Sequence, residues 1–303
     1  MLLRTIILML TCSYLTAYEV CVVAMFRDEA KYLKEWVEYH NFIGVEHFWL
    51  YNNRSVDNWQ DALKEYIDVG LVEVIDWEAG DIGWGGGFVE QPAIYRDGII
   101  RAKGITKWLA IIDLDEFIVP MKELSLTECL EKHYQNATAI YVNWRNFGTG
   151  GVTIPEGGSL LYHLTACSLP GHPQNEVGKC IVRPEKVVLQ NIWTPHHFEI
   201  ESGGQYFNGK GEPIPMKEGI DHLADGLFHF GGKHYDKYLR INHYKMRDEY
   251  FFWNYRYKRC GEPELLLEHY ESYNRVKDTS IWRFLRKMHP EYFPPVMAKD
   301  HAK

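Results

Sequence analysis

The stretch Trp108-Leu109-Ala110-Ile111-Ile112-Asp113-Leu114-Asp115-Glu116-Phe117 decides how the rest of the sequence is interpreted. Its apolar part is short and lacks helical spacing, which predicts a buried strand. The strand ends in acids, so Asp113 and Asp115 are expected at the carboxyl edge of a sheet, where open α/β folds bind ligands. If the chain is still extended there, both carboxylates point to the same side. Neighbouring carboxylates repel, and a hard cation such as Mg2+ or Mn2+ relieves this and can hold a diphosphate.

Before this stretch, short apolar runs alternate with helical patterns. Strands are predicted at residues 20–25, 47–51, 71–75 and 107–112, with helices between them, which is typical of a parallel sheet wrapped by helices. The fold class is therefore α/β, with a Rossmann-like first half. No GxGxxG follows the first strand, so a dinucleotide fingerprint is absent. The glycine-rich residues 80–87 are interpreted as a surface loop or as a mobile lip over a ligand cleft.

The second half has a different sequence pattern. From Gly148 to His243, Pro and Gly residues separate short aromatic-rich strands, which predicts a mixed sheet with loops. Helical patterns return from Asp248 onward. No repeat or linker separates the halves. Residues 18–293 are therefore interpreted as one domain, followed by a tail at 294–303.

Residues 1–17 form a distinct N-terminal segment. Arg4 precedes a short apolar run, and small residues follow near Ala17. The run is too short to span a bilayer comfortably and is typical of a cleaved secretory signal. We therefore expect the secretory pathway or export, with a membrane anchor or a cytoplasmic protein as alternatives. Membrane contact is expected only through this segment.

Composition excludes some partners and permits others. The 303 residues include 33 Lys plus Arg and 41 Asp plus Glu, a net charge of -8, which gives no electrostatic reason to bind nucleic acid. No Cys/His cluster has zinc spacing. Cys167 and Cys180 flank a loop and are the candidate pair for one disulfide.

Polar side chains follow the first two predicted strands. They are Arg27, Asp28 and Glu29 after the first, and Asn52, Asn53, Ser55 and Asp57 after the second. Because parallel strands end at one sheet edge, these groups can bind a nucleobase and ribose. Taken one at a time, they are better interpreted as helix caps, for which Asp28 and Ser55 are suited.

The motifs of the chain, taken in order, resemble glycosyltransferase family 92 and its family 2-like relatives. The resemblance runs from Val20 to about Tyr257 and rests on Phe26-Arg27-Asp28-Glu29, Tyr51-Asn52-Asn53-x-Ser55-x-Asp57, Trp108 to Pro120, Asn143-Trp144-x-x-Phe147-Gly148, Pro195-His196-His197-Phe198 and Ile241-Asn242-His243-Tyr244. It implies a GT-A fold with a nucleotide-binding half and an acceptor-binding half. It also implies a UDP-sugar donor, UDP-galactose or a similar UDP-hexose, a glycan or glycoconjugate acceptor, inversion, and Mn2+ or Mg2+.

The resemblance also assigns roles to residues. The uridine pocket receives Arg27, Asp28, Glu29, Asn53 and Asp57. Asp113 faces the ribose or the metal, Asp115 binds the metal through the diphosphate, and His243 completes the coordination. His196 and His197 are further candidates for the metal or the acceptor, and Lys179 and Arg183 for offsetting phosphate charge.

Two points stay open. An inverting transfer needs a general base, and both Glu199 and Asp248 are candidates in the second half. The segment Lys245-Met246-Arg247-Asp248 stands where the resemblance leads us to expect a Ser. The alternatives to a transferase are a non-catalytic secreted carbohydrate-binding protein of GT-A shape and a nucleotidyltransferase.

Overall fold

The structure is a computed structural model, and it describes residues 17–77, 91–192, 194, 196–214 and 235–293. Nearly all of the expected signal segment, the glycine-rich residues 80–87 and the tail at 294–303 lie outside the described residues. No helix in the described part of the chain is long and apolar enough to cross a membrane.

The first half consists of parallel strands joined by helices, as the sequence predicts. Its strands are β1 (Tyr18–Phe26), β2 (His47–Asn52), β3 (Val72–Asp76) and β4 (Thr106–Ile111), and its helices are α1 (Ala30–Phe42), α2 (Trp59–Asp68) and α3 (Gln91–Ala102). The strands lie in the order β3-β2-β1-β4, all parallel. The carboxyl ends of β1, β2 and β4 therefore share one sheet edge.

Strand β1 shows why its sequence is continuously apolar. Val20, Val22 and Ala24 pack into one core layer, whereas Cys21 and Val23 pack into the layer on the opposite face. Both faces are covered, so no alternation with polar residues is needed. Helix α3 lies so close that a Cβ at Gly98 would stand 2.7 Å from a methyl carbon of Val23.

The second half contains the remaining strands and helices. The strands are β5 (Glu116–Pro120), β6 (Ala139–Asn146), β7 (Ala166–Cys167), β8 (Gly178–Val182), β9 (Tyr206–Asn208), β10 (Leu239–His243) and β11 (Val276–Lys277). The helices are α4 (Leu126–His133), α5 (Leu160–His163), α6 (Glu249–Phe251), α7 (Pro263–Ser272) and α8 (Trp282–Met288), with a π-helix at Phe252–Arg256.

The main sheet becomes mixed beyond β4. Its order continues β4-β8-β6-β10-β5, with β9 beside β6, and β7 pairs with β11 in a separate ribbon. Strand β8 is antiparallel to both β4 and β6, and β10 is antiparallel to β5. A Rossmann-like half continued by a mixed half is the GT-A arrangement, so the predicted α/β fold is confirmed.

The expected disulfide is wrong. Cys167 and Cys180 are both free, as are the other cysteines of the described residues. The Sγ of Cys167 accepts a hydrogen bond from Arg145, and the thiol of Cys180 donates to the carbonyl of His196 at 3.2 Å. Each thiol has its own partner, and the two lie on different strands, β7 and β8.

Candidate functional site

The candidate site is built on the turn that joins β4 to β5. The amide of Glu116 donates to the carbonyl of Asp113 at 3.1 Å, and the Glu116 carboxylate accepts from the Asp113 amide at 3.0 Å. The chain is therefore no longer extended at Asp113, and the condition for both carboxylates to share a side is not met. Asp113 and Asp115 instead have different partners.

Asp113 contacts one residue of β8 and one residue of α3. Its Oδ2 lies 2.8 Å from Nζ of Lys179, and its Oδ1 accepts from the hydroxyl of Tyr95 at 3.2 Å. The Lys179 side chain is 1% exposed. Burial alone lowers the pKa of Lys179, but Asp113 and Glu116 outweigh it and raise that pKa. One acid of the pair thus neutralises a buried lysine.

Asp115 faces the end of β10. His243 pairs with Glu116 in the β10–β5 register, and the amide of Tyr244 donates to the carbonyl of Asp115 at 2.7 Å. One ligand atom each from Asp115, Glu116 and His243 lie within 4.8 Å of one another. The structure thus brings Asp115 and His243 together, whereas Asp113 is not a member of this group. The third member of the group is Glu116, which was not among the metal ligands predicted from the sequence.

A hydrogen bond to Asn146 fixes the orientation of the His243 ring. Its Nδ1 lies 3.2 Å from Oδ1 of Asn146, whose own amide nitrogen donates to the carbonyl of Gln174 and to Oδ1 of Asn175. Oδ1 of Asn146 is therefore an acceptor, so Nδ1 of His243 carries the proton. Nε2 then points a lone pair at Oδ1 of Asp115, 3.6 Å away, which is too far for a hydrogen bond. Metal-binding histidines commonly donate their other ring N–H to such an acceptor.

Burial and neighbouring charges shift the pKa values of these three groups differently. Burial raises the pKa of Glu116 well above its ordinary value, with Lys179 opposing. Burial also opposes ionisation of Asp115, but His243, Arg247 and Arg256 outweigh it and hold the pKa of Asp115 below its usual range. Burial lowers the pKa of His243, so the free imidazole is neutral at pH 7. The group presents one ionised carboxylate, one buried carboxyl and one neutral nitrogen.

Basic side chains from the segment after β10 surround Asp115. Arg247 is 2% exposed and donates through Nη2 to the carboxylate of Glu29 at 2.9 Å and to the carbonyl of Leu114 at 3.2 Å. Its φ of 54° is in the left-handed region, an uncommon conformation for a residue with a Cβ. Burial and Arg256 lower the pKa of Lys245 to about 8, against the attraction of Asp115. Burial likewise lowers the pKa of Arg256.

The predicted nucleotide residues lie at the ends of β1 and β2, which pair through Phe26 and Asn52. Asp28, with φ 56°, accepts from the Val56 amide, and its own amide donates to Ser55. Arg27 is exposed, and Glu29 is held by Arg247 as described above.

Two acceptor atoms at this edge stand out. Oδ1 of Asn53 and Oδ1 of Asp57 are buried without a hydrogen-bond partner among the described residues, although Oδ2 of Asp57 accepts from Ala30. A buried acceptor without a partner is costly, which marks both atoms as candidates for a ligand donor. The uridine roles of the five residues remain predictions.

Asp248, one of the two candidates for the base, has a structural role. It is the N-cap of α6: Oδ1 accepts from the Phe251 amide and Oδ2 from the Ile154 amide, both at 2.9 Å, and the side chain is 1% exposed. Its role as the base remains a prediction. Glu199 is half-buried and accepts from the side-chain amide of Asn191. Its role as the base remains a prediction.

Other sequence candidates are placed as follows. His196 is near the site: its Nδ1 contacts the Gly178 carbonyl at 2.8 Å, and burial, with Lys179, lowers its pKa to about 4. His197 is buried. Arg183 stacks on Trp108 at 4.2 Å and donates to the carbonyl of Ala137.

Sequence reasoning missed Glu116, Lys245, Arg247 and Arg256 as site residues. A signal for Glu116 was present, because a third acid stands directly after Asp115 and before an apolar strand. A signal for Lys245 and Arg247 was the unexpected basic segment after β10. Arg256 had no signal, because its electrostatic interaction with Asp115 joins segments that are far apart in the sequence.

Comparisons with known proteins agree on a family. The sequence model of glycosyltransferase family 92 matches residues 16–220. A family 92 protein of Ricinus communis is 29% identical over 198 residues, covering 63% of this chain and 33% of that protein. A beta-1,4-galactosyltransferase of Caenorhabditis elegans is 28% identical over 190 residues, covering 59% and 41%. The chain thus spans about a third of the length of the plant relatives.

Solved structures also match part of the chain. S. aureus TarS 1–349 in complex with UDP-GlcNAc is 14% identical, with a TM-score of 0.35, over 55% of this chain and 45% of that one.

Proposed function

The chain belongs to glycosyltransferase family 92, and we propose that it transfers a hexose from a UDP-sugar to a glycan or glycoconjugate acceptor, with inversion and with Mn2+ or Mg2+. Galactose is the proposed sugar, because two of the relatives are named as beta-1,4-galactosyltransferases.

The observation that carries the proposal is the grouping of Asp115, Glu116 and His243 at the sheet edge that also collects the polar ends of β1 and β2. A non-catalytic protein of the same shape has no need of this grouping. The three residues lie next to the sheet edge where uridine is expected, and a donor diphosphate would lie there.

These residues fit a divalent cation. Two carboxylates and one neutral imidazole are a ligand set that suits Mn2+ and, less well, Mg2+. Oε1 of Glu116 is buried and has no hydrogen-bond partner among the described residues, which is a cost that a cation would remove. Bound there, the cation would stabilise negative charge on the departing diphosphate. Asn146 would hold the imidazole in the tautomer that ligation requires.

The nucleoside would be recognised by acceptors. Uracil and ribose present N–H and O–H donors, and the unpartnered oxygens of Asn53 and Asp57 are buried acceptors at the ends of β1 and β2. Hydrogen bonds from the ligand to these two oxygens would offset the cost of their burial and would orient the UDP-sugar. Glu199 and Asp248 are the two candidates for the base that deprotonates the acceptor hydroxyl.

A donor screen tests the proposed function. Purified protein with Mn2+ is incubated with UDP-galactose, UDP-glucose, UDP-N-acetylglucosamine and GDP-mannose, and release of free nucleotide is followed with and without glycan acceptors. We expect acceptor-stimulated release of UDP from UDP-galactose, and a β-linked product by NMR. Nucleotide binding without release would favour the non-catalytic alternative.

The location is a separate proposal. We propose that residues 1–17 direct the protein into the secretory pathway, on the strength of Arg4 and the short apolar run. Mass spectrometry of protein made in a secreting host should find a mature start near Ala17, and an intact Met1 would contradict this.

A further inference from the structure

One indole N–H beside the candidate site has no acceptor. Nε1 of Trp144 is buried and has no hydrogen-bond partner in the part of the chain that the structure describes. By contrast, Nε1 of Trp36 donates to the carbonyl of Glu116 at 2.9 Å. Nε1 of Trp282 donates to the carbonyl of Leu161 at 3.3 Å. A buried indole N–H usually finds a partner, and one without a partner is costly. Trp144 therefore carries a donor that the folded chain does not use.

The Trp144 ring packs against the proposed metal ligand. Its centroid lies 4.2 Å from that of the His243 ring and 5.5 Å from that of the His196 ring. Trp144 precedes Asn146 by two residues on β6, so both side chains leave the same face of the strand. Asn146 is the residue that orients His243. Because Trp144 is only half-buried, part of its surface is accessible beside the metal group.

The chemistry of this position suits the sugar of the donor. In a UDP-hexose the sugar is bonded directly to the diphosphate. A diphosphate on a cation held by Asp115 and His243 would therefore place the hexose close to the Trp144 ring. A hexose has C–H faces that can pack on an aromatic ring, and its hydroxyl oxygens accept hydrogen bonds. An indole N–H can only donate, so a hydroxyl oxygen is a partner that it can take.

We propose that Trp144 is a specificity-determining residue for the transferred hexose, and that its Nε1–H donates a hydrogen bond to one hydroxyl oxygen of that sugar. The inference rests on the proposed function for the identity of the donor. A hexose that lacks this hydroxyl, or carries it in the other configuration, leaves the buried N–H unpaired. Sites built to hydrogen-bond a substrate hydroxyl reject analogues without it more strongly than apolar pockets reject a change of size.

The test is calorimetric binding of donors to the full chain in the presence of Mn2+. The ligands are UDP, UDP-galactose and the four UDP-galactose analogues that each lack one sugar hydroxyl, at C2, C3, C4 or C6. We expect one analogue to bind the wild type about fivefold or more weakly than UDP-galactose does. Trp144→Phe keeps an aromatic ring and removes the N–H. It should weaken UDP-galactose by a similar factor and leave the affinities for UDP and for that one analogue unchanged.

Trp282→Phe is the matched control. It removes the same N–H from another half-buried indole, whose acceptor is the carbonyl of Leu161. The ratio of UDP-galactose affinity to UDP affinity should stay at the wild-type value. Both variants shrink one ring, but only Trp282→Phe loses a hydrogen bond within the chain, so Trp144→Phe should have the higher melting temperature. The opposite order would show that the folded chain depends on the Trp144 N–H and would count against the proposal.

Wild-type affinity for UDP-galactose in folded Trp144→Phe would overturn the proposal. An equal loss for UDP and for every hexose derivative would also overturn it, because the indole would then act on the nucleotide or on the fold. Unchanged donor binding with a raised KM for the acceptor would assign the N–H to the acceptor instead.

These outcomes are separable from the result of the donor screen. A loss confined to one hydroxyl, in a protein that transfers no hexose, would leave the inference standing and remove the proposed function. Hexose transfer with unchanged donor selectivity in Trp144→Phe would do the reverse.

Discussion

Arg247 donates to Glu29 across 218 positions of sequence, with Nη2 and Oε2 2.9 Å apart, and the same nitrogen reaches the carbonyl of Leu114. One guanidinium therefore joins the end of β1, where a nucleoside is expected, to the turn that carries Asp115. The two parts of the candidate site are held in fixed relation by a residue from the second half of the chain.

Replacing this arginine should therefore cost stability. Arg247→Met leaves the Glu29 carboxylate without its cation, and we expect a loss of about 2 kcal/mol in the free energy of unfolding, less than for a fully buried pair because Glu29 is 24% exposed. Urea denaturation measures it. Adding Glu29→Gln should recover part of the loss, and strictly additive effects would contradict the coupling. Lys34→Met, which breaks an exposed pair with Glu65, is the control and should cost at most about 0.5 kcal/mol.

Asp113 should behave as the partner of Lys179. Asp113→Asn leaves an almost completely buried ammonium with a neutral neighbour, and we expect a loss of about 2 kcal/mol in stability. The double variant Asp113→Asn, Lys179→Met should be more stable than Asp113→Asn alone, since the uncompensated charge is gone. Thermal and urea unfolding of the three proteins decide this. A double variant that is less stable than either single variant would count against the pairing.

Glu116 should affect metal binding more than folding. Glu116→Gln keeps an oxygen to accept from the Asp113 amide, so the melting temperature should shift by only a few degrees. Removing a carboxylate from the three-residue group should raise the Mn2+ concentration at half-saturation by about tenfold or more. Titration of Mn2+ in the presence of UDP measures this. An unchanged midpoint in the folded variant would leave Glu116 with only its role in the turn.

His40 should make stability depend on pH. Its Nδ1 donates to the carbonyl of Trp36, and its Nε2 accepts from the Ile118 amide, so the folded state needs the neutral ring. Burial lowers its pKa from 6.5 to about 3. Since the folded pKa lies below the unfolded one, this contribution is complete above pH 6.5 and is lost as the pH falls toward 3, at up to about 1.4 kcal/mol per pH unit.

The comparison with His40→Gln isolates the effect. The variant should be less stable at pH 7.5, and the difference from the wild type should shrink by about 2 kcal/mol between pH 6.5 and pH 5 in urea unfolding. Parallel stability profiles would show that the buried ring does not set the pH dependence.

Sequence patterns predicted the elements that depend on local order. The apolar runs located β1 to β4, because a strand covered on both faces has to be continuously apolar, and the acids after Ile112 located the site at a strand end. The geometry of the turn was beyond such reasoning. Whether the chain stays extended after Ile112 depends on the hydrogen bond between the Glu116 carboxylate and the Asp113 amide, which no side-chain pattern specifies.

Contacts between distant segments were equally out of reach. The pairing of Lys179 with Asp113 follows from sheet topology, which places β8 beside β4. The pairing of Arg247 with Glu29 joins the segment after β10 to the end of β1. Asp248 is different, since an acid just before a helix is a common cap and a local signal was present.

We propose that Asp115 and His243 hold one divalent cation that serves the donor diphosphate. The most direct measurement is a titration of Mn2+ into protein with saturating UDP, with free Mn2+ followed by electron paramagnetic resonance and a protein-free UDP blank subtracted. We expect one saturable site in the wild type, a midpoint at least about tenfold higher in His243→Ala, and no saturable site in Asp115→Asn. Folded variants that bind Mn2+ with the wild-type midpoint would contradict it.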